Sequence, residues 1–261
     1  HGGWLSDFDD HWSADLRDRA ALSYVTGAHS FKVGVNNGNS DNDTLFIPAG
    51  VNQPVSYRFN NGIPNQVTEY ALPYHQYWNV DSDAGAFAQD RWTLNRLTIN
   101  AGLRWDHYRS TNVGQHLGPA KLVPNRDLTL QDTPDLGWND ITPRFGASFD
   151  LLGDGKTAVK VSVNKYVAGR TGPFAPPIGG GGTIANTASR SWNDRGGLGI
   201  NGDFTPQCDL VNPAANGECG PLSPSNFGSP IPAPTYDPSI RDGWGSRGSN
   251  WEFSTGVERP V

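Results

Sequence analysis

The feature that most constrains this chain is the segment Leu97–Asp106, in which apolar and polar side chains alternate without a break. Leu97, Ile99, Ala101, Leu103 and Trp105 fall on one side, and Thr98, Asn100, Gly102, Arg104 and Asp106 on the other. A period of two is the mark of a strand with one apolar and one wet face. In a soluble sandwich the apolar face meets a second sheet, whereas in an outer-membrane barrel it meets lipid and the polar face lines the interior. Length favours the barrel, because the patterned run over 96–108 exceeds the roughly 5–6 residues of an average soluble strand. A tilted membrane strand needs about 9–11. Trp92 and Trp105 sit near opposite ends of the same hairpin, where indoles suit the two membrane–water boundaries. The competing reading is that these aromatics fill a soluble core.

The same grammar recurs along the chain. Strands are expected at about 18–37, 54–72, 80–108, 140–166 and 250–258, nine at most once each hairpin is divided. In the hairpin after Ile141, Phe145 and Phe149 alternate with Arg144 and Asp150, and beyond a Gly-Asp-Gly turn Val159 and Val161 alternate with Lys160 and Asn164. Connections near 27–29, 61–64, 93–96 and 152–156 are short, while 109–139 and 167–249 are long. Short turns on one rim and long loops on the other are the habit of up-and-down membrane barrels. The parity also holds if 54–72 is a hairpin within one large external loop, and both arrangements stay open. The long 167–249 segment, rich in Gly, Pro, Asn and Ser, is expected to be a flexible surface loop rather than a dedicated binding element.

The expected fold is therefore all-β, an antiparallel up-and-down transmembrane β-barrel segment with long external loops, forming one partial barrel domain over 1–261. Leu97, Ile99, Leu103, Trp105, Phe145, Phe149, Val159 and Val161 are the lipid-facing candidates. Asn100, Arg104, Asp106, Arg144, Asp150, Lys160 and Asn164 are the lumen-facing candidates. Only 36% of the 261 residues are hydrophobic, and no run approaches the roughly 18 apolar residues of a membrane helix. The net charge of −6 and the lack of a basic stripe argue against a nucleic-acid partner.

Candidate chemistry is sparse. Cys208 and Cys219 stand in the longest loop, and in an extracytoplasmic protein a local disulfide is the expected reading. Their spacing matches neither a zinc site nor a haem attachment. Asn201, Asp203 and Asp209 supply oxygens at short spacing, a weak calcium pattern without the regular acids of an EF-hand. Asp7, Asp9, Asp10 and His11 are read as an exposed polar segment rather than a metal site. The glycine run 179–182 is not followed by a phosphate-loop lysine. No nucleophile elbow, zinc-protease helix or paired acids stand out, so the chain is read as non-enzymatic and without a cofactor. Trp138, Trp192, Trp244 and Trp251 are weighed as a ligand-catching rim against stacking on loop prolines.

Several stretches carry a resemblance. "AFAQDRWTLNRLTINAGLRWDHY" resembles the QD-W, short turn, LTLN-GLRYD hairpin of TonB-dependent outer-membrane receptors. "GAHSFKVGV" is similar to their HSLKFGV strand, and "ITPRFGASFDLLGDGKTAVKVSVNKYVAG" to their PR-G-AYDL-GDGKT-LR-S-GRY hairpin. "NWEFSTGVERPV" resembles a later barrel strand. The type that fits best is the large receptor with a carboxypeptidase-regulatory-like N-terminal domain. The resemblance implies an outer-membrane location, membrane lipid, the rest of the barrel and a plug domain as partners, and a TonB-type energy-coupling protein. It also implies uptake of a nutrient that the sequence does not identify. The chain starts "HGGWLSDFDD" and contains no methionine; it shows no plug or energy-coupling box, so a fragment of a longer protein is expected, with a processed mature segment as the alternative. A second class remains open, a surface or secreted β-rich structural protein whose copies self-associate into a filament or coat. A soluble carbohydrate-binding sandwich is a third.

Overall fold

A computed structural model describes residues 7–48, 54–170, 180–194 and 202–259. In chain order its elements are β1 (Asp7–Thr26), β2 (His29–Pro48), β3 (Val55–Asn60), β4 (Ile63–Tyr70), β5 (Tyr74–Leu94), β6 (Leu97–Asn112), β7 (Gln115–Leu117), β8 (Leu128–Leu130), β9 (Thr133–Asp150), β10 (Ala158–Val167), β11 (Thr187–Ser191), α1 (Pro238–Arg241), β12 (Asp242–Trp244) and β13 (Ser249–Glu258). Antiparallel neighbours in the order β1-β2-β5-β6-β9-β10-β13 form one wall. The short β12 lies parallel to β9 where β10 no longer covers it. The wall is an open sheet: β1 and β13 are its edges.

Period two and register act together here. Leu97 opposes Phe149, Leu103 opposes Pro143 and Trp105 opposes Ile141, while Phe149 opposes Val159 and Ala147 opposes Val161. Directly opposed residues share a face, so one apolar face continues from β10 through β6 to Ala88 and Val33. The turns on one rim are tight because residues with positive φ close them: Gly27, Asn95, Gly153 and Gly155. Asp150 accepts hydrogen bonds from the backbone N–H groups of Gly153 at 3.0 Å and Gly155 at 2.9 Å, fixing the last of these turns.

The strands run further than the alternating pattern suggested. β1 begins at Asp7 rather than near 18, β2 ends at Pro48 rather than 37, and β9 starts at Thr133 rather than 140. The added half of β1 pairs fully with β2 and alternates in its own right, with Trp12, Ala14 and Leu16 on one side and His11, Ser13 and Asp15 on the other; Asp10 and Asp18 interrupt the apolar side. Asp9, Asp10 and His11 thus belong to a strand; His11 Nδ1 lies 2.9 Å from Thr44 Oγ1.

The residues 54–72 take the second of the two arrangements left open above. β3 and β4 turn at Asn61 and Gly62, whose φ values are 50° and 77°, and join β11 in a separate sheet of order β11-β4-β3. This sheet draws together the long connections into a cap at the rim opposite the tight turns. Val67, Leu122, Trp192, Leu210 and Cys219 form its buried core. The described parts of 167–249 are therefore packed structure, not the flexible loop expected from composition. Low apolar content is offset by buried hydrogen bonds: Arg126 donates to the carbonyls of Gly118 at 2.9 Å, Ala71 at 2.6 Å and Pro73 at 3.1 Å.

One glycine of the wall tests the close fit of its polar face. Gly34 faces Ala21 and Phe87 across its two neighbours, and a Cβ there would come within 2.6 Å of the Phe87 ring and 2.9 Å of the Ala20 carbonyl oxygen. The ring tip can move but the carbonyl cannot. Gly34→Val is expected to cost about 1–3 kcal/mol, read as a reduced fraction of folded, heat-modifiable barrel on a gel; an unchanged fraction would contradict the packing.

Candidate functional site

Two regions carry polar chemistry: the polar face of the wall and the cap at its rim. On the wall, Asn100, Arg104, Asp106, Arg144, Asp150, Lys160 and Asn164 share one face by register, opposite the face that carries Leu97, Ile99, Leu103, Trp105, Phe145, Phe149, Val159 and Val161. Arg104 donates from Nε to Asp106 Oδ1 at 2.7 Å and from Nη2 to Asn36 Oδ1 at 2.8 Å. This pair bridges β6 to β2 across Gly85, where a Cβ would meet Arg104 Cζ at 2.7 Å. Glycine at 85 is thus what lets the guanidinium lie flat on the wall. Arg144 packs its guanidinium 4.9 Å from the Tyr166 ring centre, and Asn164 donates to Ser162 Oγ at 3.4 Å. Lys160 pairs with Glu258 of β13. Asp150 is occupied by the turn and Lys160 by its neighbour strand, so these two hold structure together.

Near the cap, the wall carries a second buried group, Val80, Tyr108, Leu136 and Trp138. Trp138 Nε1 donates to the Ile240 carbonyl at 3.0 Å, and Arg247 stacks on Tyr108 and Trp138 with its guanidinium carbon 5.5 and 5.6 Å from the ring centres. The rim of four tryptophans divides accordingly. Trp138 and Trp192 are core residues at 6% and 2% exposure, while Trp244 and Trp251 are exposed.

In the cap, Cys208 and Cys219 form a disulfide with Cα atoms 5.8 Å apart. Glu218 beside it accepts from Trp192 Nε1 at 3.1 Å and from the Gln207 backbone at 3.0 Å. Of the calcium candidates, Asn201 lies outside the described residues. Asp203 accepts from Thr205 N and Gln207 Nε2, and Asp209 from Val211 N; these are turn contacts. No cluster of three or more metal-ligating side chains occurs among the described residues.

Sequence reasoning missed the cap's main ion pair. Arg190 of β11 places Nε 2.9 Å from Glu69 Oε1 of β4, with both side chains at 0% exposure. Neither carboxylate oxygen receives an aligned hydrogen bond. Burial pushes the Glu69 carboxyl up to about 7; Arg190 opposes that rise, and the Asp209 charge adds to it. The folded cap therefore holds this proton more tightly than the unfolded chain does. By linkage, the stability contributed here is intact below pH 4.5 and declines as pH rises from 4.5 to about 7. Amide protection in β4 and β11, corrected for intrinsic exchange, is expected to be lower at pH 7.5 than at pH 4.5. Glu69→Gln should flatten that dependence; an equal slope in the variant would contradict the assignment.

No described helix is long and apolar enough to cross a membrane. The model of the TonB dependent receptor-like β-barrel family matches residues 2–215, spanning the wall from β1 through β10 and much of the cap. No curated protein and no solved structure gives a significant match. The long antiparallel wall, with tight turns on one rim and a cap on the other, is the architecture that this match requires. The chain belongs to the TonB-dependent receptor β-barrel family, a family of transport proteins that stand in the bacterial outer membrane and couple to TonB.

Proposed function

We propose that the chain forms part of the barrel of a nutrient-uptake receptor, with its apolar face in lipid and its polar face turned to the lumen, where solute and plug pass or rest. The observation that carries this reading is the continuity of the two faces across β5, β6, β9 and β10. Phe145, Phe149, Leu103 and Val161 remain 41–52% exposed although strongly apolar, a burial deficit that lipid would remove. Aromatic rings gather near the tight-turn rim, where His29 stacks against Phe31 and Trp92 at 5.3 Å each. Trp105 stacks on His107 towards the cap. Six residues of β6 separate the partner of Trp92 from Trp105, roughly 20 Å along a strand. On a strand tilted by about 40° that is roughly 15 Å of depth, part of the apolar band of about 25 Å between the aromatic girdles of a membrane barrel.

The rest of the barrel, the plug and the TonB-type protein are the proposed partners, and β1 and β13 are the edges at which the remaining strands would join. The cap, braced by the disulfide and by Arg126, is proposed to be the outward-facing end that solute meets first.

A charge on the two faces separates this reading from a soluble one. Leu103→Arg should cost about 2–4 kcal/mol of membrane folding if Leu103 lies near mid-bilayer. Asn100→Arg on the polar face should cost less than about 0.5 kcal/mol. Recovery of folded full-length receptor from outer membranes reads both, and equal recovery of the two variants would count against a lipid face. Uptake is tested by following which solutes cells remove from a defined medium with and without the receptor gene. One anionic or neutral solute class should be depleted only when receptor and TonB-type protein are both present; depletion that survives loss of the TonB-type protein would contradict energised transport.

A further inference from the structure

Beyond Trp105, towards the cap, the apolar face of the wall turns polar and holds a cavity of about 330 Å³. After Leu103 and Trp105 the same side of β6 carries His107 and Arg109, set opposite Asn139 and Gly137 of β9. On its other edge β9 pairs here with β12, which sets Asp242 beside Gly137 and Trp244 beside Asn139. Directly opposed residues share a face, so Arg109 and Asp242 flank one bare glycine from its two neighbouring strands. A Cβ added at Gly137 would lie 2.6 Å from Asp242 Oδ1, which puts that carboxylate on this same face. Tyr108 and Trp138, between them in sequence, point the other way into the buried group near the cap. The cavity is therefore turned away from the polar face of the wall, and it lies on interior strands. Neither a plug nor strands added at β1 or β13 would cover it.

Its cations are held in place but not neutralised. Arg241 donates from Nε to the Asp135 carbonyl at 2.9 Å and from Nη2 to that of Pro134. Carbonyls orient a guanidinium without cancelling its charge, and Arg241 meets no carboxylate at ion-pair distance among the described residues. Arg109 meets one, Asp81, only at 3.9 Å, and its side chain is 62% exposed; Asp81 accepts instead from Thr111 Oγ1 at 2.6 Å. His107 bonds Asn139 at 3.0 Å and lies against the wall. The depth is also telling. His107 and Arg109 follow Trp105 by two and four residues, roughly 5 and 10 Å of depth on a strand tilted by about 40°. The headgroup layer outside the hydrocarbon is about 5–8 Å thick in each leaflet. The cavity thus lies at headgroup level, directly beyond the apolar face on which acyl chains would rest.

We propose that this cavity seats the phosphorylated sugar headgroup of an outer-leaflet glycolipid, with its phosphate on Arg109 and Arg241 and its sugar hydroxyls donating to Asp242. A bare phosphate would be repelled by Asp242, whereas a hydroxyl-bearing ring gives that carboxylate donors while the guanidiniums take the oxyanion. From Arg109 to Asp242 is two strand spacings, roughly 10 Å, the length of a phosphorylated hexose rather than of a phosphate ion. Trp244, 66% exposed beside Asn139, adds an indole at the level where such rings settle. The inference rests on the proposed function for the lipid contact of this face and the outward position of the cap. The lipid-face variants test that reading, and the binding below can fail while they succeed.

The test uses full-length receptor stripped of native lipid in a nonionic detergent, titrated with a diphosphorylated glucosamine-disaccharide lipid and followed by native mass spectrometry. One lipid per receptor is expected to be retained ahead of any others. Its retention should weaken about tenfold in Arg109→Gln, the scale of losing one charge-assisted contact, and stay within about threefold of the parent in Arg109→Lys. Asp242→Asn should weaken it about threefold or more. Phosphatidic acid, which offers the phosphate without sugar hydroxyls, should bind at least about tenfold more weakly and be insensitive to Asp242→Asn. Heat-modifiable migration confirms that each variant is folded; should Arg109→Gln not fold, Asp242→Asn carries the same comparison. Equal glycolipid retention in the glutamine variant and the parent, or phosphatidic acid held as tightly as the glycolipid, overturns the proposal. Displacement of the glycolipid by inorganic phosphate would assign the cavity to a free anion and overturn it as well. If no lipid is retained while Leu103→Arg and Asn100→Arg still differ in recovery, this proposal falls and the lipid face stands.

Discussion

The ladder of main-chain hydrogen bonds between long antiparallel strands fixes everything else in this structure, because it sets the register and the register sorts the side chains. A slip of one residue between β6 and β9 would bring Leu103 opposite Thr142 or Arg144 instead of Pro143 and break both faces at once. In a membrane the ladder has a second duty. Backbone polar groups in hydrocarbon have no water to turn to, so each strand must be satisfied by its neighbours. In the proposed barrel, the edges β1 and β13 are where that requirement would pass to further strands.

The two rims solve opposite problems. At one, positive-φ residues close the chain in a few residues, and Asp150 and Arg96 hold the turn after β9 by hydrogen bonds to its backbone. At the other, connections too long to be simple turns fold onto one another. Their cohesion comes from a small apolar core around Trp192, one disulfide, and buried polar groups such as Arg126, Glu218 and the Glu69–Arg190 pair. Such polar brackets fix one arrangement of the segments, and they leave the cap sensitive to protonation at Glu69.

How much of this was legible in the sequence follows from what each segment must face. Leu97–Asp106 and Phe145–Asp150 have two different environments on their two sides, and alternation records that difference. The outer part of β2 is a paired strand with polar residues on both faces over 36–44, so periodicity has little to record there, whereas the outer part of β1 does alternate from His11 to Leu16 but is interrupted by Asp10 and Asp18 on its apolar side. The cap was hidden for another reason. Its core joins Val67, Leu122, Trp192 and Leu210 from segments far apart in the chain, and each contributes too few apolar residues to stand out locally. The disulfide was the one long-loop contact that residue type alone disclosed.

The central claim is that the apolar face of this wall meets lipid and the opposite face does not. The most direct measurement places single nitroxide labels at successive positions from Leu97 to Asp106 in the full-length receptor, in bilayers, and compares collision rates with oxygen and with a water-soluble nickel chelate. The account predicts a period of two, with oxygen access high at Leu97, Ile99, Leu103 and Trp105 and low at Thr98, Asn100, Arg104 and Asp106. Equal access to both reagents along the strand, or protection of the apolar positions from both, would contradict it.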